Sequence, residues 1–159
     1  MPALVEAGFH VVAPDMRGFG RSSAPSDIAS YSIFDTVGDM VAPVGALCEG
    51  RAAIVGHDWG APVAWHAALF DLFTAVAGLL APFRGRGRPL DTLRESGITN
   101  FYWQYFQPPR LAEAELERDV SLTLRTLLGR GFSDPTASMF VDADKGFLRD
   151  ATSDRPLPA

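Results

Sequence analysis

The residues best suited to chemistry in this 159-residue sequence lie at positions 56–61, which read Gly-His-Asp-Trp-Gly-Ala. Small residues at Gly56, Gly60 and Ala61 allow the chain to turn sharply from a strand into a helix, because larger side chains would collide across the turn. Asp58 stands at the apex. The pattern is that of the Gly-x-Ser-x-Gly nucleophile elbow, with aspartate at the serine position. It predicts that Asp58 is displayed above a sheet as an attacking group.

An aspartate in this position favours displacement at a saturated carbon. The carboxylate is ionised at pH 7 and needs no base before it attacks. Attack on an epoxide or an alkyl halide gives an ester that water can open, whereas serine would give an inert ether. The backbone N–H of Trp59, at the start of the following helix, is expected to face the oxyanion formed in that second step. The structural alternative for Asp58 is a helix N-cap, a position that aspartate also favours.

Other conspicuous residues favour structural interpretations. The segment 17–22, Arg-Gly-Phe-Gly-Arg-Ser, lacks the third glycine and the lysine of a phosphate-binding loop, so it predicts a turn. We expect His57 and His66 to be structural histidines. Cys48 is expected to be a small buried hydrophobic residue.

The elements that must position Asp58 follow a strand–helix alternation. Apolar runs at residues 10–14, 51–56 and 75–80 predict buried strands, since their apolar character is nearly continuous. Segments 34–48 and 60–71 have the length and the apolar spacing of helices. This order predicts an α/β fold with a parallel sheet.

The character of the sequence changes after Phe83, and it predicts three regions. Residues 1–83 form a core domain, residues 84–96 an arginine-rich linker, and residues 97–159 a helical domain. Within the last region, apolar residues recur along one predicted helix from Leu111 to Leu127, and glycines at 129 and 131 end it.

Composition limits the class of protein. The sequence has 14 Lys and Arg residues against 19 Asp and Glu residues, a net charge of −5 that disfavours nucleic-acid binding. It has one cysteine, which excludes an internal disulfide. Neither a signal peptide nor a membrane-spanning stretch is predicted from the sequence. A cytoplasmic protein that binds neither membrane nor nucleic acid is therefore expected.

Five segments together resemble the soluble-type epoxide hydrolases of the α/β-hydrolase superfamily. They are residues 10–22, 55–66, 82–83, 101–108 and 111–117. The first three resemble the core domain of these enzymes and the last two their cap domain. The resemblance implies a partial α/β-hydrolase core, with a parallel sheet, followed by part of a helical cap.

The resemblance also implies roles for particular residues. Asp58 would open a small hydrophobic epoxide and form an alkyl-enzyme ester, which water converts to a vicinal diol. Tyr102 would donate a proton to the epoxide oxygen, and Trp59 would supply an oxyanion donor and a pocket wall. Tyr105 is the alternative candidate for the proton donor and is otherwise expected to contact the substrate. No metal and no organic cofactor is implied. Packing of the cap interior is the structural alternative for both tyrosines.

Two further functions stay open. A haloalkane or haloacid dehalogenase uses the same aspartate, although a leaving halide needs no proton from a tyrosine. A non-catalytic fragment is the other alternative, because the resemblance implies that the general-base histidine and its acid partner lie beyond residue 159. We expect an incomplete chain with impaired turnover, and the sequence assigns no oligomeric state.

Overall fold

The computed structural model describes residues 1–47, 49–85, 87–133 and 139–148, with side chains described as far as residue 128 in the last helix. The chain divides into two compact units, Met1–Gly85 and Arg86–Ala159, and each is described by itself. Cys48, predicted to be buried, lies outside the described residues, as does Arg86 of the predicted linker.

The first unit combines helices with a parallel pair of strands. Its elements are α1 (Pro2–Glu6), a 3-10 helix (Ile28–Tyr31), α2 (Ile33–Ala46), β1 (Ala52–His57), α3 (Gly60–Ala67) and β2 (Phe73–Leu79). Helix α3 connects β1 to β2, because parallel neighbours need a crossover. The strands pair in register from Ala53 opposite Ala75 to His57 opposite Leu79, after an irregularity at Ala52. The α/β class with a parallel sheet, predicted from the sequence, is confirmed.

Helix α3 is the centre of packing in this unit. It lies against β1, β2 and α2. Its Val63 and Ala67 are buried with Val37 and Val44 of α2 and with Phe73 at the start of β2. The apolar residues at three- and four-residue spacing in α2 therefore face α3, as a helix face that packs on a core requires.

The prediction of a strand at residues 10–14 is wrong. Within the described part of the chain the sheet has two strands, and residues 10–14 join neither of them. A β-strand needs a hydrogen-bonded neighbour, and an apolar sequence alone does not provide one. Val12 is consequently 49% exposed rather than buried.

The second unit is helical in most of its described length. Its helices are α4 (Pro89–Glu95), α5 (Tyr102–Tyr105), α6 (Leu111–Leu116) and α7 (Val120–Ser133). Helix α4 occupies most of the segment 84–96 that was predicted to be a linker. Its start is favoured by Pro89, which fits the first turn of a helix because no N–H is needed there.

The single helix predicted from Leu111 to Leu127 is two helices. The break falls between Leu116 and Val120, where the Asp119 carboxylate accepts a hydrogen bond from the Leu122 N–H at 2.9 Å and caps α7. The Thr123 hydroxyl donates to the last carbonyl of α6, that of Leu116, at 2.7 Å. Helix α7 also runs past the glycines at 129 and 131 to Ser133, so these glycines do not end it.

No helix in the described ranges is long and apolar enough to cross a lipid bilayer.

Candidate active site

Asp58 occupies a tight turn between β1 and α3. Its φ of 52° lies in the left-handed region, which few residues other than glycine adopt. The turn is tight because Gly56 brings the strand against the first turn of α3. A Cβ added at Gly56 would lie 2.0 Å from the carbonyl oxygen of Gly60 and 2.7 Å from the nitrogen of Ala61. A side chain larger than hydrogen does not fit there, so the predicted role of Gly56 has a direct steric basis.

Backbone hydrogen bonds fix the apex from two sides. The Asp58 N–H donates to the carbonyl of Leu79, the last residue of β2, at 3.2 Å. The Ala61 N–H donates to the Asp58 carbonyl at 3.1 Å. Leu80, which follows β2, is also left-handed at φ 72°, so both strands turn away at the same level. The orientation of Asp58 therefore depends on β2 as well as on its own turn.

The side chain of Asp58 is exposed, and among the described residues it makes no hydrogen bond and no ion pair. The alternative of a capping aspartate is not supported. The N-cap of α3 is Trp59, and no side chain accepts a capping hydrogen bond there. Trp59 itself is 62% exposed beside the carboxylate in sequence. An exposed carboxylate on a strained apex is suited to attack on an external electrophile.

Trp65 of α3 fixes the chain beyond β2. Its indole N–H donates to the Ala81 carbonyl at 2.9 Å, and its ring meets that of Phe83 edge-on with centroids 6.3 Å apart. Gly78 of β2 leaves room for this ring, since a Cβ there would lie 2.4 Å from an indole carbon. Trp65 thus connects α3 to the segment that follows the left-handed Leu80.

Two of the three histidines have hydrogen-bond partners away from the Asp58 carboxylate. The His10 ring is paired with Glu49 at 3.2 Å. Glu49 precedes β1 and Asp58 follows it, so the six-residue strand separates them by about 20 Å. His66 donates from Nδ1 to the Pro62 carbonyl at 2.7 Å, a bond within its own helix. The structural interpretation of His66 agrees with this contact.

Tyr102 begins α5 in the second unit and lies among aromatic side chains. Its ring centroid is 4.8 Å from that of Phe101, 5.6 Å from Phe106 and 6.2 Å from Phe147. Its hydroxyl makes no hydrogen bond within the described part of the chain. The ring is therefore held by packing, while the phenol oxygen keeps its capacity to donate to another molecule.

Tyr105 differs from Tyr102 because its hydroxyl is already engaged. It donates a short hydrogen bond to the Glu115 carboxylate. Burial, together with this bond to an anion, raises the pKa of Tyr105 to about 12. A substrate would have to displace Glu115 to receive this hydroxyl, so the structure favours an internal role for Tyr105 over the predicted contact with substrate.

Glu115 is the residue that sequence reasoning missed. Glu113, Glu115 and Glu117 alternate along one acidic stretch of the sequence, but of the three only Glu115 is partly buried. It also accepts hydrogen bonds from the backbone N–H groups of Phe147 and Leu148 at 3.1 and 2.7 Å. The sequence feature that could have singled out Glu115 is its spacing of three residues from Ala112. Residues three apart share a helix face, and Ala112 is buried.

Comparison with known proteins places this architecture in a family. Residues 1–152 match the family described as alpha/beta hydrolase fold. The chain belongs to the α/β-hydrolase fold family. The α/β-hydrolase core predicted from the sequence is thereby confirmed.

Similar α/β-hydrolases include named epoxide hydrolases, as the sequence resemblance predicted. The chain is 40% identical to Epoxide hydrolase A of Mycobacterium tuberculosis, over 100% of this chain and 52% of that protein. It is 42% identical to an epoxide hydrolase of Caballeronia sordidicola, over 80% of this chain and 40% of the other. The crystal structure of Epoxide Hydrolase A from Mycobacterium thermoresistibile superposes with a TM-score of 0.87 at 42% identity, covering 99% of this chain and 52% of that one. The α/β-hydrolase chain thus spans about half the length of these relatives.

The structure brings the predicted site residues together in two pairs. Asp58 and Trp59 are adjacent on the elbow of the first unit, and Tyr102 and Tyr105 lie on one short helix of the second. Across the described residues of this α/β-hydrolase, no group of three or more His, Cys, Asp or Glu side chains could hold a metal ion.

Proposed function

We propose that this chain carries the nucleophile and the proton donor of an epoxide hydrolase, which converts an epoxide and water to a vicinal diol. The observation that carries the proposal is the exposed Asp58 carboxylate, held at φ 52° between β1 and α3. The named epoxide hydrolases among its relatives support the choice of an epoxide as substrate.

The first proposed step is attack by an Asp58 carboxylate oxygen on a carbon of the epoxide ring. A bond forms between that oxygen and the carbon, and the carbon–oxygen bond of the ring breaks. The electron pair moves to the epoxide oxygen, which takes a proton from the Tyr102 hydroxyl. A phenol is suited to this transfer, because the alkoxide that forms is a much stronger base than a phenolate. The products are an ester on Asp58 and a neighbouring hydroxyl group.

The second proposed step is hydrolysis of the ester. Water attacks the carbonyl carbon of the Asp58 side chain, and the resulting oxyanion is stabilised by backbone N–H donors. Trp59 is the proposed source of one donor, while the Asp58 N–H is occupied by Leu79. Breakage of the acyl–oxygen bond then releases the diol and restores the carboxylate; one proton of the water goes to the leaving alkoxide oxygen and the other restores the Tyr102 phenol. Because the resemblance to epoxide hydrolases assigns the general base to none of His10, His57 and His66, we expect the ester to accumulate in the 159-residue chain.

The predicted substrate is a small hydrophobic epoxide, and the reaction as proposed uses no metal or organic cofactor. A cytoplasmic location stays a prediction. It is supported by the single cysteine, since structural disulfides are typical of oxidising compartments.

The test is intact-mass spectrometry of the chain after exposure to styrene oxide. We expect one added mass of the epoxide per chain, absent from Asp58→Asn and present in Asp71→Asn, whose aspartate is also exposed in the first unit. Peptide mapping should locate the adduct at residue 58. Equal labelling of Asp58→Asn and the unchanged chain, or no labelling of either, would refute the proposed nucleophile.

A chloroalkane of similar size distinguishes the two enzymatic alternatives. For an epoxide hydrolase, Tyr102→Phe slows labelling by styrene oxide about 10²-fold, the lower end of the contribution of a positioned general acid. For a dehalogenase, 1-chlorobutane labels Asp58 and the Tyr102→Phe substitution leaves the rate unchanged, because chloride leaves without a proton. A chain that binds neither compound and forms no ester corresponds to the non-catalytic alternative.

A further inference from the structure

Glu115 joins two segments of the second unit that are distant in sequence. Its carboxylate accepts hydrogen bonds from the Tyr105 hydroxyl on α5 and from the N–H groups of Phe147 and Leu148. These three donors come from two segments, one about ten residues before Glu115 and one about 32 residues after it. A single half-buried carboxylate thus holds α5 and the segment at 146–148 to α6.

The backbone near Phe147 is shaped around this carboxylate. Gly146 is left-handed at φ 75°, and a Cβ there would lie 2.7 Å from one Glu115 carboxylate oxygen and 2.9 Å from the other. Asp142 and Gly146 pair by two backbone hydrogen bonds of 3.1 and 3.0 Å, which close the turn just before Phe147. The position of Phe147 is therefore fixed by its own turn and by Glu115.

The Phe147 ring in turn contacts Tyr102. Phe147 is 8% exposed, and its ring centroid lies 6.2 Å from that of Tyr102 and 5.4 Å from that of Phe106. It also stacks on Tyr105 at 6.2 Å with an interplanar angle of 23°. Two series of contacts consequently connect Glu115 to the Tyr102 ring. One passes through Tyr105, which lies on α5 with Tyr102, and the other passes through Phe147.

We propose that Glu115 is a positioning residue, which sets the orientation of the Tyr102 phenol through Tyr105 and Phe147. The assignment of a chemical role to Tyr102 rests on the proposed function. With no hydrogen bond to its hydroxyl from the described residues, Tyr102 is oriented by its aromatic neighbours alone. A proton donor has to be held close to its productive geometry, and supporting residues usually do this.

The charges around Glu115 agree with this role. Burial raises the pKa of Glu115, but the bonds from Tyr105, Leu148 and Phe147 and the nearby Arg118 outweigh it, so the pKa lies below its usual value. Tyr105 stays protonated at neutral pH because its own pKa is raised to about 12. The hydrogen bond between Tyr105 and Glu115 therefore joins a protonated donor to an ionised acceptor.

Nuclear magnetic resonance of ring-labelled tyrosine tests the positioning directly, because the sequence contains only three tyrosines. Loss of a signal in Tyr102→Phe and in Tyr105→Phe assigns two of them, and the third belongs to Tyr31 in the first unit. We expect Glu115→Gln to shift or broaden the Tyr102 signal and leave that of Tyr31 in place. Glu113→Gln, which removes an exposed charge two residues earlier on the same helix, should change neither signal.

Tyr105→Phe is the second variant, in case Glu115→Gln unfolds the second unit. It removes one hydroxyl and keeps the ring that packs on Phe147, and we expect it also to displace the Tyr102 signal. The proposal is overturned if the Tyr102 signal is unchanged in both folded variants. If Glu115→Gln does not fold, an unchanged Tyr102 signal in Tyr105→Phe overturns it.

The rate of ester formation with styrene oxide separates positioning from general stability. We expect Glu115→Gln to slow labelling of Asp58 about tenfold, a modest share of the roughly 10²-fold that a 1 Å misplacement costs. In the Tyr102→Phe background the same substitution should have no further effect, since its influence passes through Tyr102. An equal loss in both backgrounds contradicts the proposal. If no ester forms in the unchanged chain, the proposed function fails, while the tyrosine signals still decide the positioning.

Discussion

Gly56→Ala is expected to destabilise the first unit by about 3 kcal/mol. The added Cβ would lie 2.0 Å from the carbonyl oxygen of Gly60 and 2.3 Å from its carbonyl carbon, where real Cβ atoms stay beyond 3.0 Å. The start of α3 would have to retreat by about 1 Å, and the atoms in its way are backbone rather than a flexible side chain. Overpacking of this kind costs about 1–3 kcal/mol. Weakening the bond from the Ala61 N–H to the Asp58 carbonyl adds about 1 kcal/mol.

Gly60→Ala is the matched control for this prediction. Gly60 belongs to the same turn and the same sequence motif, yet a Cβ there meets nothing within 4 Å, and its φ is not in the left-handed region. We expect Gly60→Ala to be neutral or stabilising by up to about 1 kcal/mol, because alanine is favoured over glycine within a helix. Urea denaturation followed by far-ultraviolet circular dichroism measures both variants. The steric reasoning would be refuted if the free energy of unfolding of Gly56→Ala lay within about 0.5 kcal/mol of that of the unchanged chain. A difference of that size is comparable with the error of linear extrapolation to zero urea.

Three further substitutions test the elbow and the ion pair that joins Arg17 to α2. Asp58→Val should lower the free energy of unfolding by about 1–2 kcal/mol in urea denaturation, because a β-branched residue disfavours φ 52°. Asp58→Gly should be at least as stable as the unchanged chain. Equal stability of the two variants would contradict backbone strain at Asp58. Arg17 donates to both carboxylate oxygens of Asp39, at 2.6 and 2.8 Å, and this pairing lowers the pKa of Asp39 against the opposing effect of burial. The ion pair therefore stabilises the fold at neutral pH, and this contribution is lost as the pH falls through the lowered pKa. Thermal unfolding at pH 7, 5 and 3 should show Asp39→Asn melting below the unchanged chain at pH 7, with the gap closing in acid; a gap independent of pH would exclude the pair as its cause.

The elbow could be predicted from the sequence because its determinants are local. Gly56, Asp58 and Gly60 lie within five consecutive residues, and the collision that a larger residue would cause at Gly56 involves Gly60 and Ala61. The strands on either side of α3 were predictable from their apolar runs, but the burial predicted for them was not, because Val55 is 62% and Leu79 54% exposed in the described part of the chain.

Features that depend on distant partners could not be predicted in the same way. Residues 10–14 have the composition of a strand, but pairing is decided by a neighbour that the local pattern does not specify. The break between α6 and α7 is different, because its capping bond is local: the Asp119 carboxylate accepts from the Leu122 N–H three residues later, and the apolar periodicity that continues through the break does not reveal it. Glu115 is the clearest case, because its backbone partners lie 32 and 33 residues away.

The hydrogen bond from the Asp58 N–H to the Leu79 carbonyl limits how this scaffold can be re-engineered. It ties the backbone of Asp58, the proposed nucleophile, to the register of β2, in which Leu79 stands opposite His57. Insertion or deletion of one residue between Phe73 and Leu79 would shift the register by one, and the carbonyl at that level would then point away from β1 rather than to that N–H. A loop transplanted after β2 from another protein therefore has to keep the strand length unchanged, even when the transplant never touches the turn at Asp58.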